Sequence, residues 1–302
     1  MKIVNYDADK NFVDKIWASK IPFPRYVKGV LETLERTFYR GFNDYQDISK
    51  QNFSPSPVRK FECGRYENLA VLLHAIPIYL RNDGTRPIEY QGQYEEIRIV
   101  DLLGAYISRG PRKKTPYIEL YLREIYSAAE EFYEKYKNKN WFDRKPSVIS
   151  GFKYLLTKVL IHELAHAALD IFNLEDTPLS DKLSTCPEFR KWREESMANA
   201  VALRIIKDFS EDTSTAPDKK TFYEYAKKFM ELQPAEYALG VLMEDFDADD
   251  FNSVFEAKIK GVDPTLQQEW LDYVQGKTGT PLNWNDLKAW NAKINSTLPS
   301  MM

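Results

Sequence analysis

The sequence predicts an α+β fold dominated by helices, with one small antiparallel sheet and additional helices around it. Three observations carry this. Apolar residues recur at helical spacing through most of the chain after residue 127. Two strand-like runs, "EEIRIVDLLGAYIS" and "PYIELYLREI", flank the polar turn Arg109–Lys114. A composition of 43% apolar and 14% aromatic residues over 302 positions suits an ordered globular chain with a sizeable core.

The elements follow in order. The first sixty residues mix short helical patterns with Pro22, Pro24, Pro55 and Pro57. Arg65–Leu80 reads as a buried helix that stops or kinks near Pro77, because proline removes a helical hydrogen bond. The two strands come next, and then a helix over Ser127–Lys137. Pro146 and Ser147 are ordinary start signals for a long apolar helix over about 148–169. A polar loop, "NLEDTPLSDKLST", leads to a helix over about 187–209. "SEDTSTAPDKK" (Ser210–Lys220) is the best linker, and it divides the chain into a region 1–209 and a helical C-terminal subdomain 210–302. Helical patterns in the latter cover Thr221–Leu232, Ala235–Glu244, Leu266–Gln275 and Asn285–Asn295.

Composition also excludes. A formal charge of −3 gives no reason to expect nucleic acid or an anionic membrane as a partner. The N-terminus is charged throughout and lacks the apolar segment of a signal peptide, so the expected location is cytoplasmic. The longest apolar stretch, Asn68–Leu80, is too short to span a bilayer. Cys63 and Cys186 form no metal-binding pair and read as reduced thiols.

The chemistry concentrates in "VLIHELAHAALD" (Val159–Asp170), which holds two of the chain's three histidines. Residues four apart lie one above the other on a helix, so His162 and His166 can point two imidazoles at a single metal ion. Glu163 sits beside them, placed to touch a water on that metal without ligating it. This is the HExxH arrangement, which chance would place in roughly a few per thousand chains this poor in histidine. The uncharged residues around it suit a buried helix, where two imidazoles and a carboxylate are costly without a partner such as a cation.

A catalytic zinc usually takes three protein ligands and leaves a fourth position for water. Leu169 and Phe172 stand where the extended HExxHxxGxxH form requires glycine and histidine, so that class is excluded. His74 lies in an apolar pattern and reads as a core histidine. The best third ligand is Glu195, on a helical face shared with Ala198, Asn199 and Ala202, whose small side chains let two helices approach closely. Glu194 remains the rival. Asn199 is a candidate outer partner for His162, since metal-bound histidines need a group on the other ring nitrogen. Asp170 is either a second such partner or a helix-end residue facing solvent.

These residues resemble a zinc metallopeptidase of the gluzincin type, in which HExxH is completed by a glutamate on a following helix. "HELAH" and "EESMAN" carry the resemblance, and Glu195, Ala198 and Asn199 resemble most the minimal gluzincins of the ImmA/IrrE kind. Leu103, Gly104 and Tyr106 echo a hairpin motif that those proteins carry before the active helix. The likeness covers residues 97–209. It implies a zincin-like core, a catalytic region within 1–209 with an N-terminal extension, Zn2+ held by His162, His166 and Glu195, and hydrolysis of a peptide or protein substrate. Glu194 departs from the asparagine of thermolysin-like members, and no helix-turn-helix module is visible, so a repressor-cleaving role does not carry over.

The implied mechanism uses a metal-activated water with Glu163 as general base. An oxyanion donor is expected as well, and Tyr223, Tyr225 and Tyr237 follow the ligand helix, although packing is the better reading of each. The strand Tyr117–Leu122 would either receive an extended substrate by strand addition or lie inside the sheet. The lack of a GxMEN-type motif favours an endopeptidase. Two other readings stand beside this one: a zinc-binding interaction protein that no longer cuts, and a protease whose terminal regions cover its own cleft. Asp245–Glu256 nearly spells a calcium loop, but Asp250 replaces the glycine needed for the sharp turn, and an acidic turn is the simpler reading.

Overall fold

The computed structural model describes residues 3–5, 8, 10, 76–82, 103–107, 116–172, 187–211, 218–244, 265, 268, 269, 272, 285, 287–289 and 292. Within these lie a four-stranded sheet and five helices, and the sheet packs on the second of the helices. The strands are β1 (Ile3–Asn5), β2 (Ile78–Arg81), β3 (Gly104–Ile107) and β4 (Tyr117–Tyr121), in the order β1-β2-β4-β3. The helices are α1 (Leu122–Tyr136), α2 (Val148–Phe172), α3 (Pro187–Glu211), α4 (Asp218–Met230) and α5 (Ala235–Leu242).

The expected antiparallel pair is present: β3 and β4 run antiparallel, with Gly104 opposite Leu120 and Tyr106 opposite Ile118. The sheet as a whole is mixed, because β1 and β2 add two parallel pairings, Ile3 with Ile78 and Ile78 with Ile118. This corrects the expectation of a purely antiparallel sheet. It also corrects the end of the predicted Arg65–Leu80 helix, since Ile78–Leu80 is strand. Pro77 lies just ahead of β2, where its missing N–H costs no ladder bond, and its carbonyl accepts from Ile118 N–H at 3.0 Å. His74, Cys63, Cys186 and the acidic turn Asp245–Glu256 lie outside the described residues.

Helix α1 starts earlier than the apolar pattern suggested. The chain leaves β4 at Tyr121 and turns at once into helix, the N–H of Arg123 being taken up by the carbonyl of Asn82 at 2.9 Å. Leu122, Ile125, Ala129, Phe132 and Tyr136 then form one buried stripe at helical spacing. Ser147 caps α2 as expected: its hydroxyl accepts from the N–H of Ser150 at 3.2 Å, and its carbonyl from Gly151 at 2.8 Å. The described positions near Leu266–Gln275 and Asn285–Asn295 are helical.

Helix α2 is the centre of the molecule. Its side chains are apolar nearly all round, so it needs neighbours on every side, and it has them in α1, α3, α4, β3 and β4. One face of the sheet, with Ile78, Leu80, Ile118 and Leu120 fully or almost fully buried, covers it. At its first turn, Gly151 packs against a cluster of rings. Phe132 lies 4.9 Å from Tyr225 and 5.4 Å from Phe229, and a Cβ on Gly151 would fall 2.5 Å from the Tyr225 hydroxyl. Helices α4 and α5, which follow residue 209, contribute Phe222, Tyr225, Met230 and Leu239 to the same core.

Candidate metal centre

The packing of α3 on α2 brings the three predicted ligands together. His162 and His166 stand one turn apart on α2, rings 4.7 Å apart, with their Nε2 atoms 3.1 Å apart. Glu195 reaches in from α3 and places Oε2 3.3 Å from His162 Nε2 and 3.4 Å from His166 Nε2. Among the described residues, His162, His166 and Glu195 form the group that could hold a metal ion.

The triangle has the size an ion would require. Bonds of about 2.0–2.1 Å at tetrahedral angles put ligand atoms about 3.3–3.4 Å apart. The observed edges of 3.1, 3.3 and 3.4 Å fit that figure to within a few tenths of an ångström. Its chemistry fits too. Glu195 Oε2 makes no conventional hydrogen bond despite its burial, so it and the two imidazole nitrogens converge as lone-pair donors. The His162 side chain is 1% exposed, against 16% for His166 and 13% for Glu195, so the His166–Glu195 side of the triangle is the one that opens.

The charge states suit ligation. Burial above all, with the nearby Lys158 charge, lowers the pKa of His162 from 6.5 to about 3, so its imidazole is neutral at physiological pH. For Glu195, burial pushes upward, but the His166 and His162 imidazoles outweigh it and hold the carboxylate well below its ordinary range. A stability consequence follows for the metal-free protein. An unfolded histidine takes up a proton near pH 6.5, whereas folded His162 resists until about pH 3. Between those values the unfolded chain binds more protons, so stability falls as pH falls, at up to about 1.4 kcal/mol per pH unit. Denaturant unfolding in the presence of chelator should show the midpoint dropping from pH 7 to pH 4, and the drop should be smaller in His162→Leu.

Glu163 lies beside the triangle, 2% exposed, and points towards β3. A Cβ on Gly104 would meet Val159 Cγ1 at 2.7 Å and Glu163 Oε1 at 3.3 Å, so the absence of a side chain there lets β3 lie close over the HExxH helix. Asp170, one turn beyond His166, accepts a hydrogen bond from the Tyr106 hydroxyl at 2.8 Å, which ties β3 to the end of α2. Asn199 is fully buried. Its amide nitrogen donates to the Tyr237 carbonyl at 3.4 Å, and its side-chain oxygen has no hydrogen-bond partner, so its hydrogen bond runs to α5 rather than to an imidazole.

Of the three tyrosines that the sequence offers as oxyanion candidates, Tyr237 on α5 is the one that lies beside a histidine of this site. The Tyr237 ring is buried 6.3 Å from that of His162, forming a wall of the centre. Tyr223, by contrast, bonds Glu244 at 2.9 Å, and Tyr225 sits among the rings beside Gly151.

No protein family, curated protein or solved structure matches the chain in comparison with known proteins. No helix among the described residues is long and apolar enough to cross a membrane.

Proposed function

We propose that this chain is a zinc-dependent peptidase with a gluzincin-type, zincin-like core, acting on a peptide or protein substrate. The observation that supports it most is the convergence of His162, His166 and Glu195 on one point, with the Glu163 carboxylate one residue away on the same helix. A purely structural ion is normally enclosed by four protein ligands, and has no use for a neighbouring base. Two imidazoles and one carboxylate also suit zinc better than calcium or magnesium, which prefer all-oxygen surroundings.

The protein's own groups divide the work. His162, His166 and Glu195 would hold the ion, with the more exposed His166 and Glu195 on the side that solvent and substrate can reach. When bound, zinc supplies Lewis acidity, acidifying a water and polarising a carbonyl. Glu163 would serve as the base that accepts a proton from the attacking water and returns it to the departing amine. β4 is hydrogen-bonded on both sides, by β2 and β3, so the Tyr117–Tyr121 segment lies inside the sheet and offers no edge for strand addition. Strand β3 is one of the sheet's two edge strands among the described residues and lies over Glu163, so of the two it is the one placed to offer an extended peptide its main-chain edge beside the site.

Metal analysis of the purified chain should find about one zinc per molecule, and cleavage of a generic peptide library should stop with chelator and return with zinc. A folded protein that takes up no zinc would refute the proposal. Zinc uptake without any cleavage would favour the interaction protein instead.

A further inference from the structure

Helix α3 is held from behind at the residues next to its ligand. The Ser196 hydroxyl donates to the carbonyl of Glu236 at 2.8 Å, and Asn199 donates to that of Tyr237 at 3.4 Å. Gly240, one turn along α5, meets the same patch. A Cβ there would stand 2.7 Å from Asn199 Cβ, 2.8 Å from the Ser196 carbonyl oxygen and 3.0 Å from Ala200 N. Two of these three obstacles are main chain and cannot swing aside. The same short helix puts the Tyr237 ring against His162. One element therefore touches the Glu195 helix and a histidine ligand together.

We infer that α5 is the positioning element of the metal centre, and that Gly240 sets how closely the Glu195 helix can approach the histidine pair. This rests on the metal reading above. Metal–ligand distances tolerate only about ±0.2 Å. A methyl group at position 240 must open the α3–α5 contact by several tenths of an ångström. Either α3 moves and carries Glu195 with it, or α5 moves and takes Tyr237 away from His162.

The test measures zinc affinity of the full-length chain by chelator competition in wild type, Gly240→Ala, Ser196→Ala and Gly151→Ala. Gly151→Ala is the control: it overpacks α2 by a comparable contact, against the Tyr225 hydroxyl, without touching the α3–α5 interface. Gly240→Ala should bind zinc about 10–100-fold more weakly, the range for groups that orient ligands, and its Co2+ form should show an altered visible spectrum. Ser196→Ala should weaken zinc in the same direction by a smaller factor. Gly151→Ala should lower Tm and keep wild-type zinc affinity. Wild-type affinity in both Gly240→Ala and Ser196→Ala overturns the inference, as does an equal loss in Gly151→Ala. Should Gly240→Ala not fold, Ser196→Ala decides, because it removes one hydrogen bond and adds no volume. A wild-type chain that takes up no zinc overturns the metal reading and this inference with it; the variant results above overturn the inference alone.

Discussion

Replacing Glu163 by glutamine is expected to lower peptide hydrolysis by about two to four orders of magnitude, the range for a positioned acid–base group, with zinc content unchanged. The substitution keeps the side chain's size and shape, so the close contact with Gly104 is preserved. What it removes is the negative charge, and with it the basicity needed to accept a proton. Glu163 is not one of the three converging ligand atoms, so the ion should stay. Nor should the fold suffer. Glu163 is 2% exposed, and an amide is less costly to bury than a carboxylate. A metal-free Glu163→Gln would mean that the side chain ligates. Full activity would remove it as the base.

The parts of this molecule that were legible in the sequence are those whose cause is local. The HExxH helix could be read because both histidines and the glutamate lie within five residues, and helical geometry alone puts the imidazoles on one face. Ser147 could be read as a cap for the same reason. The β3–β4 pair was visible through its turn, and Gly104 and Tyr106, which sequence reading could offer only as a faint hairpin echo, prove to touch Glu163 and Asp170. The parallel strands were not legible. β1 is three residues long and β2 four, too short for an alternating pattern, and parallel partners lie far apart in sequence. Helix α5 was found as an element but not as a support. One signal was available: Gly240 stands inside "AEYALGVL", where glycine costs about 1 kcal/mol relative to alanine, and such a cost calls for a packing reason. The candidate for the third ligand lay between these extremes. Helical phase separated Glu195 from Glu194 by the small residues that accompany it, but only the packing of α3 on α2 brings its oxygen to the imidazoles.

That choice between adjacent glutamates yields the second large effect. Zinc affinities of about 10–16 kcal/mol, shared by four ligands, assign about 2.5–4 kcal/mol to each, or about two to three orders of magnitude in Kd. Glu195→Ala should show a loss of that size in chelator competition. Glu195→Gln should also bind weakly, because an amide oxygen lacks the charge that the imidazole-flanked carboxylate keeps at neutral pH. Glu194→Ala should change zinc affinity less than about tenfold, since position 194 lies a third of a turn away from the triangle. In the metal-free state Glu195→Ala also removes a carboxylate oxygen that stands within 3.4 Å of the Nε2 atoms of both histidines. His162 then loses the interaction that partly offsets its burial, and its pKa should fall further still. A reversal, with Glu194→Ala the more damaging, would move the ligand role by one residue and require α3 to turn by about 100° from the orientation described.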